Sequence, residues 1–147
     1  MRELKTEIEI NGSIDAVWEI LTDFNSYPVW NPFIKKIEGE LKVGARLKVY
    51  VEPPGGKGMT FKPIVKRLEP KTEFKWLGHF LIPGIFDGEH IFQLEQINDN
   101  KIKFIHSEKF NGLLVPLFWR SLISNTKQGF EEMNKALKNG AESGNNI

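Results

Sequence analysis

Apolar and polar residues alternate with a period of two over most of the chain up to Gly112, and with helical spacing in two places. Side chains in a strand point to opposite faces in turn, so alternation predicts half-buried strands. Leu4, Thr6, Ile8 and Ile10 alternate with Lys5, Glu7 and Glu9 and predict a first strand that ends at Asn11-Gly12. Ser13 is placed to cap a short helix, Ile14–Thr22, with Asp15 favourable in its first turn. Asn25–Pro32, NSYPVWNP, predicts a turn or second short helix that Pro28 starts and Pro32 ends. Strands are then expected at Phe33–Leu41, Ala45–Glu52, Met59–Leu68 and Thr72–Phe80, with loops at Pro53–Gly58 and Leu81–Gly88.

The longest alternating stretch is Asp87–Gly112, DGEHIFQLEQINDNKIKFIHSEKFNG. The turn Asn98-Asp99-Asn100 divides it, which predicts an antiparallel hairpin. One face carries His90, Phe92, Leu94, Ile102, Phe104, His106, Glu108 and Phe110. That face is apolar enough to be buried, yet it holds two histidines and a carboxylate. Burying unpaired polar atoms costs free energy, so a plain core rarely carries three such groups. A cavity holding water or a ligand tolerates them. Counting back from Asp99 sets His90 near residue 108, which brings His90, His106 and Glu108 into one neighbourhood.

Helical spacing returns at the end of the chain. Trp119, Leu122, Ile123, Thr126, Phe130, Met133 and Leu137 predict one long amphipathic helix from near Pro116 to about Lys138, with Gly140 as its stop. The expected order is strand, short helices, about six strands and a long helix. It forms one domain over residues 1–139, followed by a disordered tail, 140–147. The class is α+β, because a bent antiparallel sheet has to bury one face and only the last helix is large enough to cover it.

Composition narrows the function. Lys+Arg (20) and Asp+Glu (19) nearly cancel, which gives no electrostatic reason to expect nucleic acid. The absence of cysteine excludes disulfides and thiol chemistry. No apolar run reaches the length of a membrane span and the N-terminus reads as a strand, so a cytoplasmic protein without membrane insertion is expected. Asn11-Gly12-Ser13 fits a glycosylation acceptor without any sign of secretion. Gly55-Gly56-Lys57-Gly58 lacks the spacing of a phosphate-binding loop and reads as a hairpin loop.

Several residues carry a resemblance to the START/Bet v 1-like superfamily, also called SRPBCC or polyketide cyclase-like proteins. They are the Ser13-capped helix with Val17-Trp18, the stretch Tyr27-Pro28-Val29-Trp30-Asn31-Pro32-Phe33, Gly88-x-His90-x-Phe92-x-Leu94, and Phe104-x-His106-x-Glu108-x-Phe110-x-Gly112 before a long helix. The resemblance spans roughly Arg2 to Lys138. It implies a helix-grip fold, in which a seven-stranded antiparallel sheet curls around the C-terminal helix and leaves a deep apolar cavity. Members bind lipids, sterols, hormones or polyketides, and some catalyse cyclisation or dehydration.

The leading expectation is a binding protein for a hydrophobic or amphipathic small molecule, with no cofactor. His90, His106 and Glu108 would orient the ligand, and Trp30, Phe33, Trp76, Phe80, Phe86 and Phe118 would line the mouth and walls. Phe92 and Phe104 are expected on the lining as well. The bland alternative for each aromatic is core packing, and for the polar three a bond to a neighbour or to buried water. The apolar loop Leu81–Phe86 reads as sheet-edge packing or as a lid. The rival reading is a cyclase or dehydratase, in which His106 or Glu108 moves a proton. A zinc site from the two histidines and Glu108 matches no familiar spacing. A protein-interaction module using the outer sheet face is a third reading, and the charge alternation of β-strand residues such as Lys5, Glu7 and Glu9 argues against it.

Overall fold

The computed structural model describes residues 1–80 and 82–144. The first strand, β1 (Arg2–Asn11), leads into helix α1 (Ile14–Thr22), a 3-10 turn at Phe24–Ser26 and the short helix α2 (Tyr27–Trp30). Seven strands follow: β2 (Ile34–Glu38), β3 (Lys48–Val51), β4 (Met59–Phe61), β5 (Ile64–Glu69), β6 (Glu73–Phe80), β7 (Phe86–Asn98) and β8 (Lys101–Asn111). Helix α3 (Val115–Gly144) closes the chain. The strands form a five-stranded sheet, β1-β8-β7-β6-β5, and a three-stranded sheet, β2-β3-β4. All pairs are antiparallel. This is the α+β helix-grip arrangement.

Met59–Leu68 does not form the single strand its alternation predicts. Pro63 has no N–H to give to a ladder, and the strand breaks there into β4 and β5, which belong to different sheets. The break is also the hinge between the sheets. The Pro63 carbonyl accepts from Leu47 N at 2.8 Å, Val65 N donates to Ala45 O at 2.9 Å, and Gly44 N donates to Val65 O at 2.8 Å. These bonds carry backbone pairing across the bend in the wall.

The segment after β1 is fixed by polar side chains. Ser13 Oγ accepts from Ala16 N at 3.2 Å and caps α1, whose Val17 and Leu21 are buried. Tyr27 is fully buried, and its hydroxyl donates to the Leu21 carbonyl at the end of α1. Burial pushes that phenol well above its ordinary range, so it stays a donor. Asn31 Oδ1 accepts from Phe33 N at 2.9 Å and Ile34 N at 2.8 Å, which launches β2. The YPVWNP stretch is therefore a structural anchor.

Helix α3 has 30 residues and is about 45 Å long at 1.5 Å per residue. It does not stop at Gly140 and runs on to Gly144, so residues 140–144 of the expected tail are helical. Buried Ala141 extends the apolar stripe of Phe130, Met133 and Leu137 by one more turn, and Glu142 accepts from Asn11 N at 3.0 Å. Packing on β1 holds this turn despite the glycine. The remaining residues of that tail, 145–147, lie outside the described residues. The two halves of α3 differ: residues of its inner face are fully buried from Gly129 onward, whereas Leu122, Ile123 and Thr126 are only half-buried. The first half stands off from the sheet.

Candidate functional site

The inner face of the large sheet is a set of rows across the strands. One row is Phe74, Phe92, His106 and Thr6; the next is Trp76, His90, Glu108 and Leu4; the third is Gly78, Gly88 and Phe110. Phe80 opposite Phe86 forms the outermost row. The first row lies under the C-terminal half of α3 and is closed core. Phe74, Phe92, Phe104, His106 and Phe130 are each fully buried. The outer rows lie under the half of α3 that stands off, and there a cavity of about 380 Å³ opens. That volume falls in the range of about 300–1,000 Å³ typical of small-molecule sites.

The glycine pair makes the floor of this space. Gly78 and Gly88 face each other on neighbouring strands at positions that point inward, so two side chains are missing where the cavity begins. A Cβ at Gly78 would touch only Pro63, at 3.7 Å. A Cβ at Gly88 would lie 2.4 Å from Glu108 Oε2, because the Glu108 side chain turns into the space that Gly88 leaves. Aromatic side chains supply the walls, among them Trp76, Phe80, Phe86, Phe110 and Phe118. Ser121, Asn125 and Thr126 of α3 give the opposite wall some polar character.

Of the residues singled out from sequence, Phe33, Trp76, Phe80, Phe86, His90, Glu108 and Phe118 line the cavity. Four do not. Phe92, Phe104 and His106 are fully buried in the closed core, where the Phe130 ring stacks on His106 at 3.9 Å and 5°. Trp30 packs edge-on against Tyr27 at 5.0 Å, away from the cavity, and its buried Nε1 has no partner among the described residues. The apolar loop joins the site at its edge. Gly84 N donates to the Asp87 carboxylate, Leu113 N to Gly84 O and Leu114 N to Ile85 O, which ties residues 84–85 to the start of α3. Leu81 of that loop lies outside the described residues. His79 also borders the cavity, but it alternates with Gly78 and Phe80, and its Nδ1 meets Asp87 Oδ1 at 2.7 Å across the strand. The sequence reading missed Ser121 and Asn125, whose helical phase beside Leu122 was a usable signal.

The two buried histidines form a polar chain with one consistent direction. Thr6 Oγ1 donates its proton to the His106 carbonyl at 3.0 Å, so it accepts from Asn134 Nδ2 at 2.9 Å. Asn134 Oδ1 then faces His106 Nδ1 at 2.9 Å, which makes Nδ1 the donor. His106 Nε2 is left as an acceptor, and His90 Nε2 donates to it at 2.6 Å. His90 therefore presents its remaining lone pair at Nδ1. Both rings are neutral. Burial first, and the neighbouring His106 ring second, hold His90 well below 6.5. Burial brings His106 down to about 3 against the opposing pull of its bonds to Asn134 and the Phe130 carbonyl. Neutral imidazoles suit this stack, in which His90 lies 4.4 Å from Phe92 at 7° and 5.0 Å from Phe130.

Glu108 is different. Its carboxyl has no hydrogen-bond or charge partner among the described residues, and burial alone raises it to about 8. The side chain is half-buried by area, and the area it keeps lines the cavity. The two histidines and Glu108 do not converge as a metal site: His90 and His106 are turned to each other, and the carboxyl lies over Gly88. Among the described residues no group of three His, Asp or Glu is placed to hold a metal.

These groups set a pH profile for stability. Below 6.5 the unfolded chain protonates both histidines while the folded chain does not, so acid destabilises. Above 4.5 the unfolded chain loses the Glu108 proton that the folded chain keeps up to about 8, so rising pH destabilises. Two histidine protons balance one carboxyl proton near 6.5, where urea midpoints are expected to peak. Glu108→Gln should flatten the alkaline limb and leave the acid limb. A profile that rises steadily from pH 5 to 8 would contradict these assignments.

The chain belongs to the family described as polyketide cyclase / dehydrase and lipid transport, which it matches over residues 1–142. No curated protein matches the sequence. Solved structures share its fold. A START superfamily protein from Mycobacterium smegmatis is 20% identical with a TM-score of 0.74, over 96% of this chain and 97% of that one. The Zhui aromatase/cyclase from a Streptomyces species is 16% identical with a TM-score of 0.78, over 96% and 93%. The protein XoxI from Bacillus cereus is 21% identical with a TM-score of 0.74, over 99% of each chain. Among the described residues no helix is long and apolar enough to cross a membrane.

Proposed function

We propose that this protein binds a hydrophobic or amphipathic small molecule in the cavity between the glycine-floored end of the sheet and the first half of α3. The observation that carries the reading is an aromatic-walled space of about 380 Å³ held open by Gly78 and Gly88, inside which the Glu108 carboxyl has no partner among the described residues. A core selected only for stability would fill such a space, because empty volume costs free energy. Aromatic walls supply apolar contact, and Glu108 with the polar face of α3 orients the ligand. Native mass spectrometry of the protein purified from cells should show a 1:1 adduct that organic extraction removes. Protein that is homogeneous and apo, and that fails to take up any member of an apolar compound library, would refute the reading.

A catalytic reading has one specific observation in its favour. Glu108 holds a proton at neutral pH inside an apolar site, as a general acid does. The family description and the aromatase/cyclase neighbour agree with a cyclase or dehydratase. His106 is no longer a candidate for contact with substrate, because Phe130 covers it. Loss of water or ring closure in an identified ligand, abolished by Glu108→Gln, would put this reading first.

A further inference from the structure

We propose that the polar end of the ligand is a protonated amine, seated against the Glu108 carboxyl within the aromatic walls of the cavity. The inference rests on the binding function proposed above and specifies the ligand's chemistry.

Three features point the same way. First, the carboxyl is held in place by geometry. It occupies the space above Gly88, where any Cβ would displace it, and it has no counter-charge among the described residues. A neutral hydroxyl or carbonyl would be served as well by an amide. Only a cation gains from a group that can ionise on contact.

Second, His90, which shares the inward-facing row of Glu108, is an acceptor. The chain from Thr6 through Asn134 and His106 fixes His90 as the donor at Nε2, which leaves a lone pair at Nδ1. A ligand group that reaches His90 has to bring its own donor, and an ammonium supplies three.

Third, Trp76, Phe80, Phe86, Phe110 and Phe118 surround the same space. Aromatic faces attract cations, and more strongly where water is excluded. Other charged or titratable groups on the lining are His90, His79 and Lys57. His79 is paired with Asp87, and Lys57 is exposed, where solvent screens it.

The test uses three probes with one apolar body: 4-phenylbutylamine, 4-phenylbutanol and 4-phenylbutyrate, titrated calorimetrically at pH 7. The amine is expected to bind about tenfold or more tighter than the alcohol, since a desolvated charge pair outweighs a neutral hydrogen bond. The carboxylate is expected to bind weakest. Glu108→Gln should lower amine affinity about tenfold or more and leave the alcohol nearly unchanged. Amine binding should also release about one proton, seen as a dependence of the heat on buffer ionisation enthalpy, because Glu108 ionises as the cation arrives. That readout needs no variant. Equal binding of the three probes, a preference for the carboxylate, or amine binding without proton release would overturn the amine assignment while leaving the binding function intact. Failure of all three probes to bind would count against the binding function itself, and the amine assignment would fall with it.

Discussion

Gly78→Ile should sharply weaken ligand binding without weakening the fold. A Cβ at Gly78 has only Pro63 near it, at 3.7 Å, and the residue lies in ordinary strand backbone, outside the positive-φ positions. Isoleucine is a better strand former than glycine, so the urea midpoint should hold or rise. Its side chain projects onto the cavity floor between Trp76 and Phe80. A ligand then meets an overpacked site, a penalty of about 1–3 kcal/mol, which is a loss of about 5–150-fold in affinity. The check is a paired measurement of unfolding and binding. A variant that folds as well as the parent and binds as tightly would show that the ligand does not use this space.

Phe130→Ala is expected to have the largest effect on stability. The Phe130 ring stacks on His106 at 3.9 Å, lies 5.0 Å from His90 and meets Phe33 edge-on at 5.6 Å. It forms the seal between closed core and cavity. Truncating it removes apolar burial and joins a void to the existing space, which costs about 3–5 kcal/mol for a buried Phe. It also lets water reach the histidine pair, so the acid limb of the pH profile should shrink. A loss under about 1 kcal/mol would mean that α3 does not bear on the sheet there.

The hairpin was legible because its period of two survives over both strands, and counting from the turn set His90 near residue 108, with which it pairs. The long helix was legible for the same kind of reason. The line between core and cavity along that hairpin face was not. His106 and Glu108 are two residues apart on one strand, yet one is sealed and the other open. The difference is set by where α3 rests on the sheet, which no local pattern encodes. The YPVWNP stretch misled in a similar way. Its aromatics resemble a cavity rim, but Tyr27 hydrogen-bonds back to Leu21 and carries Trp30 away from the cavity. A usable signal was present in Trp76-x-Gly78-x-Phe80 and Phe86-x-Gly88-x-His90. Glycines on the inner face of paired strands mark a place where something approaches the backbone.

The binding cavity is tested most directly by the indole N–H signals of the four tryptophans in a 1H–15N NMR titration with 4-phenylbutylamine. Trp76 lines the cavity, whereas Trp18 packs on Phe74, Trp30 on Tyr27 and Trp119 on Phe110. A saturable shift of the Trp76 signal, with Trp18 and Trp30 unmoved and saturation moved to higher ligand concentration in Gly78→Ile, is the expected result. Saturable binding that leaves Trp76 in place, or that moves it equally in Gly78→Ile, would contradict a ligand site in this cavity.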